Sequence, residues 1–241
     1  VIETRTLAQT AMITLTRPEK RNALNIQLCQ ELSEAIDNAT SQGARALVVT
    51  GTGTSFCSGA DLDDVYSPAF RDALYTMLNA VTTAPVPVIA AVNGPAVGAG
   101  TQLAIAADLR VVAPGARFAL PTARIGLAVD QWTIRRLSLL AGHGAARRLL
   151  LACEELDANA AWACGLADRQ GGPEDALAWA EGIAELAPLT VAYSKRVLNH
   201  IADADIDAPL TEAFEACWTS SDLREGRLAR AEHRPPRFQG R

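Results

Sequence analysis

Apolar and polar residues alternate over 2–7 (IETRTL) and again over 11–17 (AMITLTR), the period of a hairpin with one face covered. The period then lengthens: Leu28, Leu32, Ala35, Ile36 and Ala39 fall on one face of a helix over 26–42. RALVVTG (45–51) and PVIAAVNG (87–94) are short unbroken apolar runs, as strands covered on both faces are. A helical pattern near 67–83 separates them. A turn with three glycines in seven residues, GPAVGAG (94–100), opens a helix over about 99–107. DLRVVAP (108–114) and ARFALP (116–121) read as further strands.

After Asp130 the pattern is helical, over 131–141, 144–152, 157–164, 174–186, 189–202 and 209–231, with one extended piece near 166–170. Strand–helix alternation followed by helices predicts an α/β core with a helical extension. Leu198, Ile201, Leu210, Phe214 and Trp218 give that extension apolar faces that require cover from the core or from another subunit.

Composition narrows this picture. A chain of 241 residues, 49% apolar, supports a sizeable core. No low-complexity linker divides it, and no window approaches the ~18 apolar residues of a membrane span. The opening VIETRTLAQTAMITL has no basic start and apolar run of a secretory leader, so none is expected. A net charge of -5 argues against general affinity for nucleic acid. Five cysteines (29, 57, 153, 164, 217) without CxxC spacing suit buried thiols in a reducing cytoplasm. The three histidines (143, 200, 233) are far apart, so no metal site is expected. His143, in LAGHGAARRL, reads as a cap or surface residue.

The glycine turn is the first candidate for chemistry. Gly98 and Gly100 are followed by Leu103, so the third glycine of a dinucleotide fingerprint is missing, and no GxxxxGK[ST] loop occurs. A strand ending in small residues before a helix has another use. Its first N–H groups lack internal partners, carry the positive end of the helix dipole, and can polarise a carbonyl as an oxyanion hole. By itself the turn reads as a tight bend that needs glycine. GTGTSFCSGADLDDV (51–65) is a second turn of this kind after a buried strand, ending in Gly59-Ala60-Asp61. Two such turns can converge on one carbonyl oxygen. Asp61 reads as a helix or turn cap, and Cys57, with no basic neighbour in sequence, as a small buried residue.

Taken together, RPEKRNALN (17–25), FCSGADL (56–62), IAAVNGPAVGAGTQLAIAADLRV (89–111) and RPPRFQG (234–240) resemble the crotonase, or enoyl-CoA hydratase/isomerase, superfamily. The likeness runs in order along nearly the whole chain and is nearest to short actinobacterial enoyl-CoA-hydratase-like proteins. It implies a spiral of ββα turns over 1–185 and, within the same domain, a helical C-terminal region over 186–241 that trimerises, often into a dimer of trimers. It implies a coenzyme A thioester as ligand, with no separate cofactor, its carbonyl held between the N–H groups of Ala60 and Ala99. Arg21, Ala23 and Leu24, with Ser58 and Leu62, match segments that grip the CoA adenine and pyrophosphate. Gly59, Asp61 and Gly98 belong to the same turns. His233 falls where the family often has a lysine near the CoA phosphate.

Two departures matter for the reaction. Hydratases of the superfamily use a pair of glutamates; the corresponding positions here hold Gln102 and, in FALPTARIG, Thr122. Neither side chain titrates near neutral pH, so neither can serve as a base. Asp130, in GLAVDQWTIRRL, aligns with an acid of the dienoyl-CoA isomerases, and it also suits the N-cap of the following helix. Trp132 reads either as a wall of an acyl pocket or as core.

The expectation is a cytoplasmic, oligomeric acyl-CoA-binding homologue acting in fatty-acid or lipid metabolism. It would hold the thioester without hydrating it efficiently and present it to a lipid-pathway enzyme. Two alternatives stay open: an isomerase or other CoA-thioester enzyme that uses Asp130, and a structural subunit that keeps only the fold.

Overall fold

A computed structural model describes residues 1–61, 64–202, 215–216 and 218–238. Strands β1 (Ile2–Leu7) and β2 (Thr10–Leu15) form the antiparallel hairpin, in register from Ile2↔Leu15 to Leu7↔Thr10. From β2 the sheet continues in parallel through β3 (Ala46–Gly51), β4 (Val88–Val92), β6 (Leu109–Val112) and the two-residue β9 (Arg169–Gln170). β3 and β4 are wholly buried, as their unbroken apolar sequences require.

The apolar run over 87–94 is cut short at Val92. The Asn93 side chain clasps the peptide of Gly51, accepting from its N–H at 3.3 Å and donating to its carbonyl at 2.9 Å. The chain then leaves the sheet, and β5 (Pro95–Val97) joins β7 (Arg117–Ala119) and β8 (Glu155–Asp157) in a second, three-stranded sheet. Neither β5 nor β8 stands out in the sequence, because three residues are too few to show a period.

Helix α1 (Ile26–Ser41) is N-capped by Asn25, which accepts from the Leu28 N–H, and buries the predicted face of Leu28, Leu32, Ala35, Ile36 and Ala39. α2 (Pro68–Thr83) lies beside α1. α3 (Ala99–Ala106) is buried along its whole length. The two helices expected over 131–152 form one element, α4 (Gln131–Leu151), broken at Gly142 by its φ of 75°. α5 (Ala158–Ala163), α6 (Pro173–Ala184) and α7 (Pro188–Ala202) follow.

The continuous helix expected over 209–231 is corrected, since Ser220 is extended and its hydroxyl accepts from the Leu223 N–H, starting a new helix, α8 (Ser221–Ala231). Residues 209–214 of that range lie outside the described residues, as do Leu210, Phe214, Cys217 and the side chain of Ile201.

α7 is fastened by buried polar groups. Lys195 Nζ pairs with Asp108 at 2.8 Å and donates to the carbonyls of Val81 and Val86. Asn199 donates to Thr82 and accepts from Arg136. Burial holds the Lys195 pKa below its ordinary value, against the pull of Asp108. Leu189, Tyr193, Val197 and Leu198 of the same helix remain exposed. Among the described residues no helix is long and apolar enough to cross a membrane.

Candidate active site

The site forms where the turn after β3 meets the turn after β5. A short parallel bridge, Cys57↔Ala96, joins them, with the Cys57 N–H donating to Pro95 and the Val97 N–H donating to Cys57. Two glycines allow the approach. A Cβ on Gly59 would stand 2.7 Å from the Val97 carbonyl oxygen, and one on Gly100 would stand 2.1 Å from that of Cys57. Gly59 also has a φ of +104°, a region that side chains disfavour.

On the outer flank of the first turn, Leu24 pairs with Ala60: the Leu24 N–H donates to Gly59, and the Asp61 N–H donates to Leu24. This pairing uses the groups on either side of Ala60 and turns the Ala60 N–H the other way. Ala99 is the first residue of α3, where an N–H has no partner within the helix. Ala60 and Ala99 both line one cavity of about 430 Å³, along with Ser58, Gly59, Gly98, Gln102 and Thr122.

Behind the turns, consecutive left-handed residues Arg21 and Asn22 shape the 17–24 segment. The Asn22 amide donates to the carbonyls of Thr52 and Ser55, and the Ser58 N–H donates to Arg21. Arg17 ties both sides together, donating to the Ala23 carbonyl at 2.6 Å and pairing with Asp61 at 3.0 Å. Asp61 thus acts on the turn through Arg17. Leu24 is fully buried, while Arg21 is exposed. None of Arg21, Ala23, Leu24, Asp61 and Asp130 lines the cavity. Leu62 lies outside the described residues. Trp132 packs against the core and does not wall the cavity. Cys57 is fully buried, and burial pushes its thiol up to about 12, where it is inert.

Gln102 occupies the floor of the cavity, one helical turn into α3 from Ala99. Its Nε2 donates to Thr133 Oγ1 at 2.8 Å and to Asp130 Oδ2 at 3.3 Å. Thr133 Oγ1 donates in turn to Asp130 Oδ2 at 2.6 Å, so it can only accept from Gln102, which fixes the orientation of the amide. Asp130 is the N-cap of α4, taking the Thr133 N–H at 3.0 Å. Burial, and next the Asp130 charge, raise the pKa of Tyr75, so it is held as a phenol.

Tyr75, Arg71, Phe70 and Leu74 line the cavity from α2. Nothing in sequence marks them, since they share the helix face that also packs the core. Arg124 and Arg230 join Arg71 on the wall, and no carboxylate is among the described lining residues. The resulting site can polarise a carbonyl oxygen with two N–H groups in a mostly apolar setting. Among the described residues it offers no carboxylate at its surface.

The family model for enoyl-CoA hydratase/isomerase matches residues 5–241. "Probable enoyl-CoA hydratase echA6" of Mycobacterium tuberculosis is 51% identical over 230 residues, 95% of each chain. A solved enoyl-CoA hydratase/isomerase from Pseudoalteromonas atlantica superposes with a TM-score of 0.88 at 29% identity, covering 99% of both chains. Methylmalonyl-CoA decarboxylase shares the fold with a TM-score of 0.92 at 24% identity, over 100% of this chain and 98% of its own.

Proposed function

The chain belongs to the enoyl-CoA hydratase/isomerase family, and from that premise we propose that it binds an acyl-coenzyme A thioester without hydrating it efficiently. The thioester oxygen would sit between the N–H groups of Ala60 and Ala99, whose turns are pressed together by the close contacts of Gly59 and Gly100. The segment 21–24, stapled to the 58–61 turn, offers backbone and the exposed Arg21 to the nucleotide end.

One observation carries the loss of hydration. Both amide hydrogens of Gln102 are engaged by Thr133 and Asp130, and Thr122 faces the same cavity, so neither position supplies a base that can take a proton from water. Polarisation and binding remain, which suits a protein that holds and hands on a fatty acyl thioester to an enzyme of lipid metabolism. The exposed stripe of Leu189, Tyr193 and Val197 on α7 supports assembly into a trimer or a dimer of trimers.

Thermal-shift titration with crotonyl-CoA and longer acyl-CoAs tests binding, since a ligand of the folded state raises its melting temperature. No shift at saturation would leave only a structural role. The absorbance of the enoyl thioester should persist when the protein is added; its loss at an ordinary hydratase rate would refute the reading.

A second reading, isomerisation, has one observation in its favour. Asp130 stands directly behind the cavity-lining Gln102, which donates to it, and its charge is felt by Tyr75 on the cavity wall. Double-bond migration that vanishes in Asp130→Asn would support it.

A further inference from the structure

Part of the cavity wall comes from the C-terminal end of the chain. Trp218 reaches across to the 126–130 loop, where its indole N–H donates to the Ala128 carbonyl at 3.2 Å. The Arg71 guanidinium lies 5.2 Å from the centre of the indole and pairs at 3.4 Å with Glu215, three residues before the tryptophan. Just beyond, α8 is seated closely on the 121–126 turn. A Cβ on Gly226 would meet the Ile125 carbonyl oxygen at 2.3 Å, and one on Gly126 would meet that of Asp222 at 2.7 Å. The ring is therefore held by a hydrogen bond, a stacked cation and an anchored helix.

Its place in the cavity follows from a chain of contacts. Ala99 leads along α3 to Gln102; Gln102 bonds Asp130; and Tyr75 lines the same cavity from α2. Arg71 stands one helical turn from Tyr75 on α2 and carries Trp218. The indole, held by Arg71 and Ala128, lines the same cavity as Ala60 and Ala99. Phe70, Leu74, Leu127 and Val129 line the same cavity with apolar surface. An acyl chain that starts at Ala60 and Ala99 has apolar walls to follow and a fixed ring among them.

Resting on the acyl-CoA reading above, we propose that Trp218 closes the acyl channel and sets the longest chain the protein accommodates. Each methylene buried along apolar walls tightens binding by about fourfold. Affinity should therefore climb with chain length and stop where the chain meets the indole.

Calorimetric titration of the full chain with saturated acyl-CoAs, butanoyl through hexadecanoyl, locates that limit. Trp218→Ala should carry the rise at least two methylenes further, so the chain two methylenes beyond the wild-type limit binds about fifteenfold tighter than it does to the wild type. Trp218→Phe, which keeps a ring, should hold the wild-type limit. If circular dichroism shows Trp218→Ala unfolded, Trp218→Leu, also smaller than the native ring, is read in the same way. Limits that coincide in wild type and the smaller variants would overturn the assignment to Trp218 while leaving acyl-CoA binding intact. A wild-type protein that binds none of the series would overturn both.

Discussion

The Gln102 amide donates to the Asp130 carboxylate at 3.3 Å, and the same nitrogen reaches Thr133 at 2.8 Å. A glutamate in that place would set two carboxylates against each other and leave Thr133 and Asp130 without their donor. The amide at 102 is thus built into the helix cap, not merely substituted for an acid.

Gln102→Glu should therefore fail to create a hydratase and should cost about 1–3 kcal/mol of stability. One member of the resulting carboxylate pair must stay protonated, so the folded state binds more protons than the unfolded one and stability falls as pH rises. Melting temperatures at pH 5 and pH 8 check this: the deficit against wild type should be larger at pH 8.

Asp130→Asn separates capping from networking. Asparagine caps a helix about as well as aspartate, so a cap alone predicts little change. Three donors converge on Asp130, the Thr133 N–H on one oxygen and the Thr133 hydroxyl and Gln102 amide on the other, and an amide with one oxygen cannot accept them all. A loss of about 1–3 kcal/mol in urea denaturation is expected; unchanged stability would reduce Asp130 to a cap.

Gly100→Ala should lose about 1–3 kcal/mol or more, together with the acyl-CoA-induced thermal shift, because its Cβ would force the two turns apart. Gly59→Ala adds an unfavourable φ to a clash with the Val97 carbonyl and should behave alike. Gly115→Ala, with open space around it, is the control and should be near neutral. Chemical denaturation of the three variants decides the matter.

The anchor of the C-terminal residues should respond to acid. Hydrogen bonds from the Arg234 side chain and the Arg237 N–H hold the Glu225 carboxyl down at about 2. A carboxyl lowered on folding contributes stability above its unfolded value, and that contribution is lost as pH falls through its folded one. Limited proteolysis near 234–238 should thus stay slow near pH 4 and quicken toward pH 2. Glu225→Gln should quicken it already at neutral pH.

Much of the fold is legible in the sequence because burial imposes periods. The alternation over 2–7 and 11–17, the face from Leu28 to Ala39, and the apolar runs of β3 and β4 each record which side of an element is covered. β5 and β8 escaped because they are short, and the false continuity over 209–231 arose because one serine starting a new helix leaves no break in the apolar pattern. The family likeness singled out the two turns, Gln102, Thr122 and Asp130 together.

By itself, the sequence determined the residue types at the site: two glycine-bearing turns, no glutamate at 102 or 122, and an acid before α4. Only the tertiary structure decided what those residues do to one another. The Gln102 amide faces the Asp130 carboxylate, Tyr75 leans on that carboxylate from another helix, and Trp218 crosses from the end of the chain to the cavity wall. Such pairings join residues far apart along the chain, and local periodicity reports burial, not the identity of the partner across a cavity.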